Sequence, residues 1–126
     1  METTFYLERE TDIIIGIAID VHKNLGVGFL EAVYKEALEY EFAEMDILYR
    51  REKEYNIRYK QITLQHKYYA DFVVFDKVIL EVKAVLKGIS DNDLAQTLNY
   101  LKASGCKVGL ILNFAATKLQ IKRVVL

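Results

Sequence analysis

Apolar positions in the first third of the chain recur at helical spacing. Ile14, Ala18, Val21 and Leu25 fall at i, i+4, i+7 and i+11, one stripe of a helix that Thr11 or Asp12 is placed to cap. Gly26-Val27-Gly28 stops it, because paired glycines open backbone angles that other residues avoid. A second helix is predicted over 29–43, with Leu30, Val33, Ala37, Leu38 and Phe42 along one face. Glu31 and Tyr34 are three apart, so they neighbour each other on one flank of its first turns. A carboxylate there is favoured by the helix dipole, which alone accounts for an acidic residue at that place.

Beyond Met45-Asp46 the period changes to two. Ile47-Leu48-Tyr49 is one short strand. Tyr55, Ile57 and Tyr59 alternate with Asn56, Arg58 and Lys60 as a half-exposed strand. Lys60-Gln61 reads as a turn and Ile62-Thr63-Leu64 as the return. Two apolar runs, 68–75 and 78–82, flank Asp76-Lys77 as a hairpin, giving an antiparallel meander. A helix capped by Ser90 or Asp91 follows, with Leu94, Leu98 and Leu101 as its core stripe and Gly105 as its stop. Residues 107–113 read as a buried strand. A helix separates it from the strand at 78–82, so the two are predicted to run parallel. Residues 119–125 make a last strand at an edge. The predicted order is α-α-β-β-β-β-α-β-β, an α/β (α+β) fold with a mixed β-sheet flanked by helices, in one domain over 1–126.

Composition narrows the partners. Seventeen Lys and Arg oppose 18 Asp and Glu, for a formal net charge of −1, which argues against a protein that coats nucleic acid through overall charge. No apolar run approaches the ~20 residues of a membrane span. Met1-Glu2-Thr3-Thr4 lacks the basic start of a signal peptide. Cys106 is the one cysteine, so no intrachain disulfide forms, and a reducing cytoplasm is expected.

Three charged residues break the apolar hairpin: Asp71, Glu81 and Lys83. Glu81 and Lys83 are two apart and project from one face of a strand. Charges among Val, Ile and Leu are costly unless they pair or bind a metal. Two carboxylates on adjacent strands suit a hard divalent cation that keeps several waters. A neighbouring lysine suits the orientation of an attacking water or the offsetting of transition-state charge. Glu-x-Lys alone occurs by chance on many strands, and a partly buried ion pair near a sheet end explains the residues equally well.

Taken together, Asp71…Glu81-Val82-Lys83 resembles the PD-(D/E)xK nuclease signature. Gly28-Phe29-Leu30-Glu31-Ala32-Val33-Tyr34 is similar to the G-x-x-E-x-x-Y motif of the GxxExxY proteins, small bacterial and archaeal members of that superfamily. Val21-His22-Lys23-Asn24-Leu25-Gly26 and Val108-Gly109-Leu110-Ile111-Leu112-Asn113-Phe114 resemble the same group, so the likeness runs from about Ile13 to the C-terminus. Two departures are Ala70, where the superfamily's name has proline, and Val27, where many relatives have proline.

The resemblance implies a restriction-endonuclease-like core. It implies a metal-dependent nuclease acting on DNA or RNA, with Mg2+ or Mn2+ held by Glu31, Asp71, Glu81 and the Val82 carbonyl. Lys83 would be the catalytic lysine, beside Asp71, Glu81 and Glu31. Gln96-Thr97-Leu98-Asn99-Tyr100 resembles the Q-x-x-x-Y motif of RecB-like nucleases, which implies that Gln96 and Tyr100, with Tyr34, face the substrate. The alternatives are a non-catalytic module binding nucleic acid or protein on the same fold, with a homodimer or protein partner, and a purely structural ion network. Tyr55, Tyr59, Tyr68 and Tyr69 with Arg58, Lys60 and Lys67 suit stacking and pairing with a single strand, or simply a solvated sheet edge. His22 is read as packed rather than ligating, His66 as solvent-facing and Cys106 as a core residue.

Overall fold

Eight elements build the chain in the computed structural model, which describes residues 7–126: helices α1 (Glu8–Leu25) and α2 (Glu31–Glu44), strands β1 (Tyr49–Tyr59), β2 (Ile62–Val74) and β3 (Val78–Lys83), helix α3 (Asp91–Ser104), and strands β4 (Val108–Asn113) and β5 (Gln120–Val125). Met1-Glu2-Thr3-Thr4 lies outside that range. The five strands form one sheet in sequence order. β3 and β4 run parallel, joined by the α3 crossover, and every other neighbouring pair is antiparallel. This is the mixed α/β sheet that the periodicity predicts, built from fewer and longer strands. Among the described residues no helix is long and apolar enough to cross a membrane.

The difference is two mergers: the runs at 62–64 and 68–75 form the single strand β2, and the run ending at Tyr49 joins that at 55–59 in β1. β1 is continuous from Tyr49, because Arg50, Arg51, Lys53 and Glu54 of the charged run 50–54 also pair with β2. Charge hides this strand in the sequence, as is usual at a sheet edge that must not recruit another chain. Arg51 reaches Glu39 on α2 at 2.8 Å, and Lys67 reaches Glu54 at 3.1 Å. The Lys60-Gln61 turn lies where expected. The β2–β3 turn takes in Phe75 as well as Asp76 and Lys77, with φ of 60° at Phe75 and 56° at Asp76.

Two apolar clusters cover the sheet. One joins α1 and α2 to Phe72, Val74, Leu80, Val82, Leu110 and Leu112. The other joins α3 to Ala70, Val73, Ile79 and Ile111. Burial of such side chains, at ~1.5–3 kcal/mol each, is the main attraction holding the layers together. Helix α1 starts earlier than predicted. Thr11 lies inside it, with its hydroxyl bonded to the carbonyls of Leu7 and Glu8 rather than capping. Ser90 does cap α3, through a capping box in which Asp93 bonds the Ser90 N–H. The α3 stripe is rotated from the predicted one: Thr97, Tyr100 and Leu101 are buried, while Leu94 and Leu98 are only partly so. Gly109 permits this approach, since a Cβ there would sit 2.8 Å from the Thr97 Cγ2.

His22 packs at the edge of Phe114, and its Nε2 lies 2.9 Å from the Ala116 carbonyl, as a core histidine does. His66 is exposed. Cys106 is half-buried against the α3 cluster.

Candidate functional site

Side chains two apart on a regular strand share a face. On β2 this rule fails at one point. Ala70 packs with the α3 cluster and Phe72 with the α1/α2 cluster, so the alternation breaks at Asp71. Glu52 lies opposite Asp71, between the paired Arg51–Phe72 and Lys53–Ala70, and has φ 57°. A non-glycine residue in that region in mid-strand is a strained conformation of the kind found at functional sites. On the other side the β2–β3 ladder ends at Phe72–Leu80. Beyond it, two carboxylates close the gap. The Asp71 N–H donates to Glu81 Oε2 at 3.0 Å, and the Val82 N–H donates to Asp71 Oδ2 at 2.8 Å.

Glu81 is 5% exposed. Burial pushes its carboxyl up to about 8, and the neighbouring Asp71 charge adds to this. The Asp71 N–H bond and the Lys83 and Lys35 charges pull the other way.

Helix α2 supplies the third wall. Glu31, Lys35 and Glu39 recur every four residues and form a polar stripe against β1 and β2. Lys35 Nζ stands 2.7 Å from Asp71 Oδ1, 3.4 Å from Glu31 Oε2 and 3.4 Å from Glu52 Oε2. Burial lowers the affinity of Lys35 for its proton, but the Asp71 hydrogen bond and the Asp71, Glu52 and Glu31 charges prevail, so its ammonium is held well above the ordinary lysine range. Glu31, Asp71 and Glu81, expected together from the sequence, are thus gathered at the β2–β3 break, with Glu31 joined to Asp71 through Lys35.

Lys83 closes β3 on the α3 side, with Nζ 3.5 Å from Asp93 Oδ1. Burial raises the Asp93 carboxyl, yet its bonds with Ser90 and the Lys83 charge leave it lowered. The helix cap therefore also holds the lysine. Gln96 donates to the Tyr100 hydroxyl at 3.0 Å. Tyr100 is buried, edge-on to Tyr68, rather than on an open face, and burial followed by the Glu81, Asp71 and Tyr68 charges raises its hydroxyl to about 12. Gln96 is exposed one turn before Tyr100 on α3, and the Glu81 and Asp71 charges act on the Tyr100 hydroxyl.

Tyr34 stands elsewhere. It is fully buried, stacked on Phe114 at 4.5 Å, and its hydroxyl donates to the Gly26 carbonyl at 2.7 Å and accepts from the Phe29 N–H at 3.3 Å. It holds the turn that delivers Glu31, not a surface for substrate. Phe114 in turn bonds its N–H to the Lys83 carbonyl at 2.9 Å, linking that turn to the lysine strand. Asn113 anchors the segment after Lys83, bonding both the N–H and the carbonyl of Val85.

Lys35, Glu52, Asp93 and Asn113 contact or pair with the candidate residues without having been expected there from the sequence. Two carried signals: Lys35 lies at i+4 from Glu31, and Asp93 completes the Ser-x-x-acid pattern of a capping box.

Among the described residues no three His, Cys, Asp or Glu side chains are disposed to hold an ion directly. The donor chemistry is that of a hard divalent cation, all carboxylate oxygen: Glu31, Glu52 and Asp71 surround the Lys35 ammonium, and Glu81 is held beside them by the Asp71 N–H.

No curated protein sequence matches the chain. A solved structure, described as the crystal structure of SSO0001, shares the fold with a TM-score of 0.57 at 16% identity, over 75% of this chain and 48% of that one. The chain thus spans about half the length of that protein. The family profile of the PD-(D/E)XK nuclease superfamily matches residues 8–124, almost the entire chain. With its Asp71, Glu81 and Lys83 at the β2–β3 break, this chain belongs to the PD-(D/E)XK nuclease superfamily.

Proposed function

We propose that the chain is a metal-dependent nuclease of the GxxExxY type that hydrolyses phosphodiester bonds in DNA or RNA. The observation that carries this reading is the interlocked Asp71–Glu81 pair at a break in the sheet, with Glu31 and Lys83 brought to either side. Glu31, Asp71 and Glu81, with the Val82 carbonyl, would hold Mg2+ or Mn2+, as superfamily members generally do. Bound there, the ion supplies charge for the phosphoryl oxygens and lowers the pKa of a water.

The protein's own part is positioning. Lys83, steadied by Asp93, orients the attacking water and offsets the negative charge that grows as water adds to phosphorus and one P–O ester bond breaks. Gln96 is placed to donate to the substrate backbone, with its amide steadied by Tyr100. Substrate of either sugar type has a polar approach, because residues 55–70 contain Arg58, Lys60 and Lys67 and no Asp or Glu. The lone Cys106 suits a reducing cytoplasmic setting.

The test is cleavage of labelled single-stranded, duplex and branched DNA and RNA with Mg2+ or Mn2+. Activity is expected, and it should vanish in Asp71→Ala and Lys83→Ala variants that still fold. Failure on every substrate, together with no metal binding by calorimetry, sinks the reading. The second reading, a non-catalytic nucleic-acid- or protein-binding module with a homodimeric or other partner, draws support from Lys35 already standing among the carboxylates. It predicts tight binding by polarisation with no cleavage and no need for metal.

A further inference from the structure

Lys35 has the contacts of a bound cation rather than of an ordinary surface lysine. Its side chain is 12% exposed, and its ammonium touches carboxylates from three separate elements: Glu31 on α2, Glu52 on β1 and Asp71 on β2. The shortest contact, 2.7 Å, is to Asp71 Oδ1, while Asp71 Oδ2 is engaged by the Val82 N–H. Both oxygens of the central carboxylate are therefore already in use. A divalent ion bonded to Asp71 Oδ1 would stand within a few ångströms of the ammonium, a strongly repulsive arrangement in a partly buried site.

We propose that Lys35 is a built-in counter-cation of the carboxylate cluster, which a divalent ion must displace, so that Lys35 sets the metal affinity of the site. The inference rests on the metal-dependent reading above and adds a residue outside the superfamily signature. Displacement has a path. Glu52 is half-exposed on the edge strand, so a lysine stem that rotates outward keeps one carboxylate partner while leaving Asp71. The strained backbone lies at Glu52, across from Asp71 in the β1–β2 register, and the Glu52 carboxylate is 3.4 Å from the amine.

Two measurements test this without reference to activity. In the unaltered protein, acetylation of the Lys35 amine is followed by mass spectrometry with EDTA and then with saturating Mn2+. Lys35 should be protected without metal and react about tenfold faster with it, and an unchanged or slower reaction overturns the proposal. Calorimetric titration of Mn2+ into Lys35→Met should show affinity about tenfold or more above the unaltered protein, the gain from removing one nearby positive charge. Binding to Lys35→Met alone supports the proposal most directly. Equal affinity in both proteins, with unaltered labelling, refutes the displacement but leaves the metal site standing. Absence of Mn2+ binding in both removes the metal reading and this inference with it. If Lys35→Met does not fold, the labelling of the unaltered protein decides the matter.

Discussion

Replacing Glu81 with glutamine should flatten one component of the stability–pH profile. Glu81 is nearly inaccessible, and burial with the adjacent Asp71 raises its carboxyl from the ordinary 4.5 to about 8. The native state therefore keeps a proton that the unfolded chain releases in this interval. Unfolding then liberates a proton, so the contribution is fully present below about pH 4.5, declines as pH rises, and is lost above about pH 8. At about 1.4 kcal/mol per decade, the interval corresponds to a loss on the order of 3–5 kcal/mol, the lower figure allowing for sharing of the charge with Asp71. Glutamine is neutral, has the same shape, and its amide oxygen can accept from the Asp71 N–H. The variant should match the natural protein near pH 5 and exceed it near pH 9, by roughly that amount. Urea unfolding in EDTA, at steps across this range, measures the difference directly. A difference between the two proteins that does not vary with pH would refute a carboxyl held protonated by its surroundings.

Other consequences concern the supports of the site. Tyr34→Phe keeps the stack on Phe114 but strips the Gly26 carbonyl and Phe29 N–H of their partner; a loss of about 1–2 kcal/mol in urea unfolding is expected, and an unchanged midpoint would contradict the bonding. Gly109→Ala drives a methyl against Thr97 and should cost about 1–3 kcal/mol, read as a lower melting temperature. Ser90→Ala removes the cap of α3 and should cost about 1 kcal/mol, visible in the same assay. Because Asp93 both completes that cap and holds Lys83, Asp93→Asn should lower the cleavage rate more than Ser90→Ala does at equal folded fraction. Equal rates would argue against its positioning role.

Much of this protein is written locally. The apolar stripe of α1, the turn at Lys60-Gln61, the Ser90 cap and the Gly105 stop each depend on a few consecutive residues, and each lies where the pattern puts it apart from the position of the first cap. The parallel placement of β3 and β4 follows from the helix between them. The three charges in the hairpin were also legible, because a charge within an apolar strand conflicts with its surroundings wherever the strand ends up.

Tertiary structure decided which charges meet. Periodicity reports which side of an element is buried, but not what stands opposite it. Tyr34 shares a flank with Glu31 in sequence, yet it turns into the core because Phe114, 80 positions later, offers a stacking surface there. The charged β1 strand became recognisable only once Arg51 and Glu54 had found Glu39 and Lys67. The break in alternation at Asp71, the strained Glu52 across from it and the arrival of Lys35 among the carboxylates all depend on the register of β1 on β2 and the seating of α2 against both. Short-range spacing marked Asp71, Glu81 and Lys83 as chemically unusual. Long-range packing determined that Asp71 and Glu81 bond to each other's strands, that Lys83 answers to Asp93, and that a lysine already stands within the cluster, because contacts between distant segments are fixed by the fold as a whole rather than by any one stretch of chain.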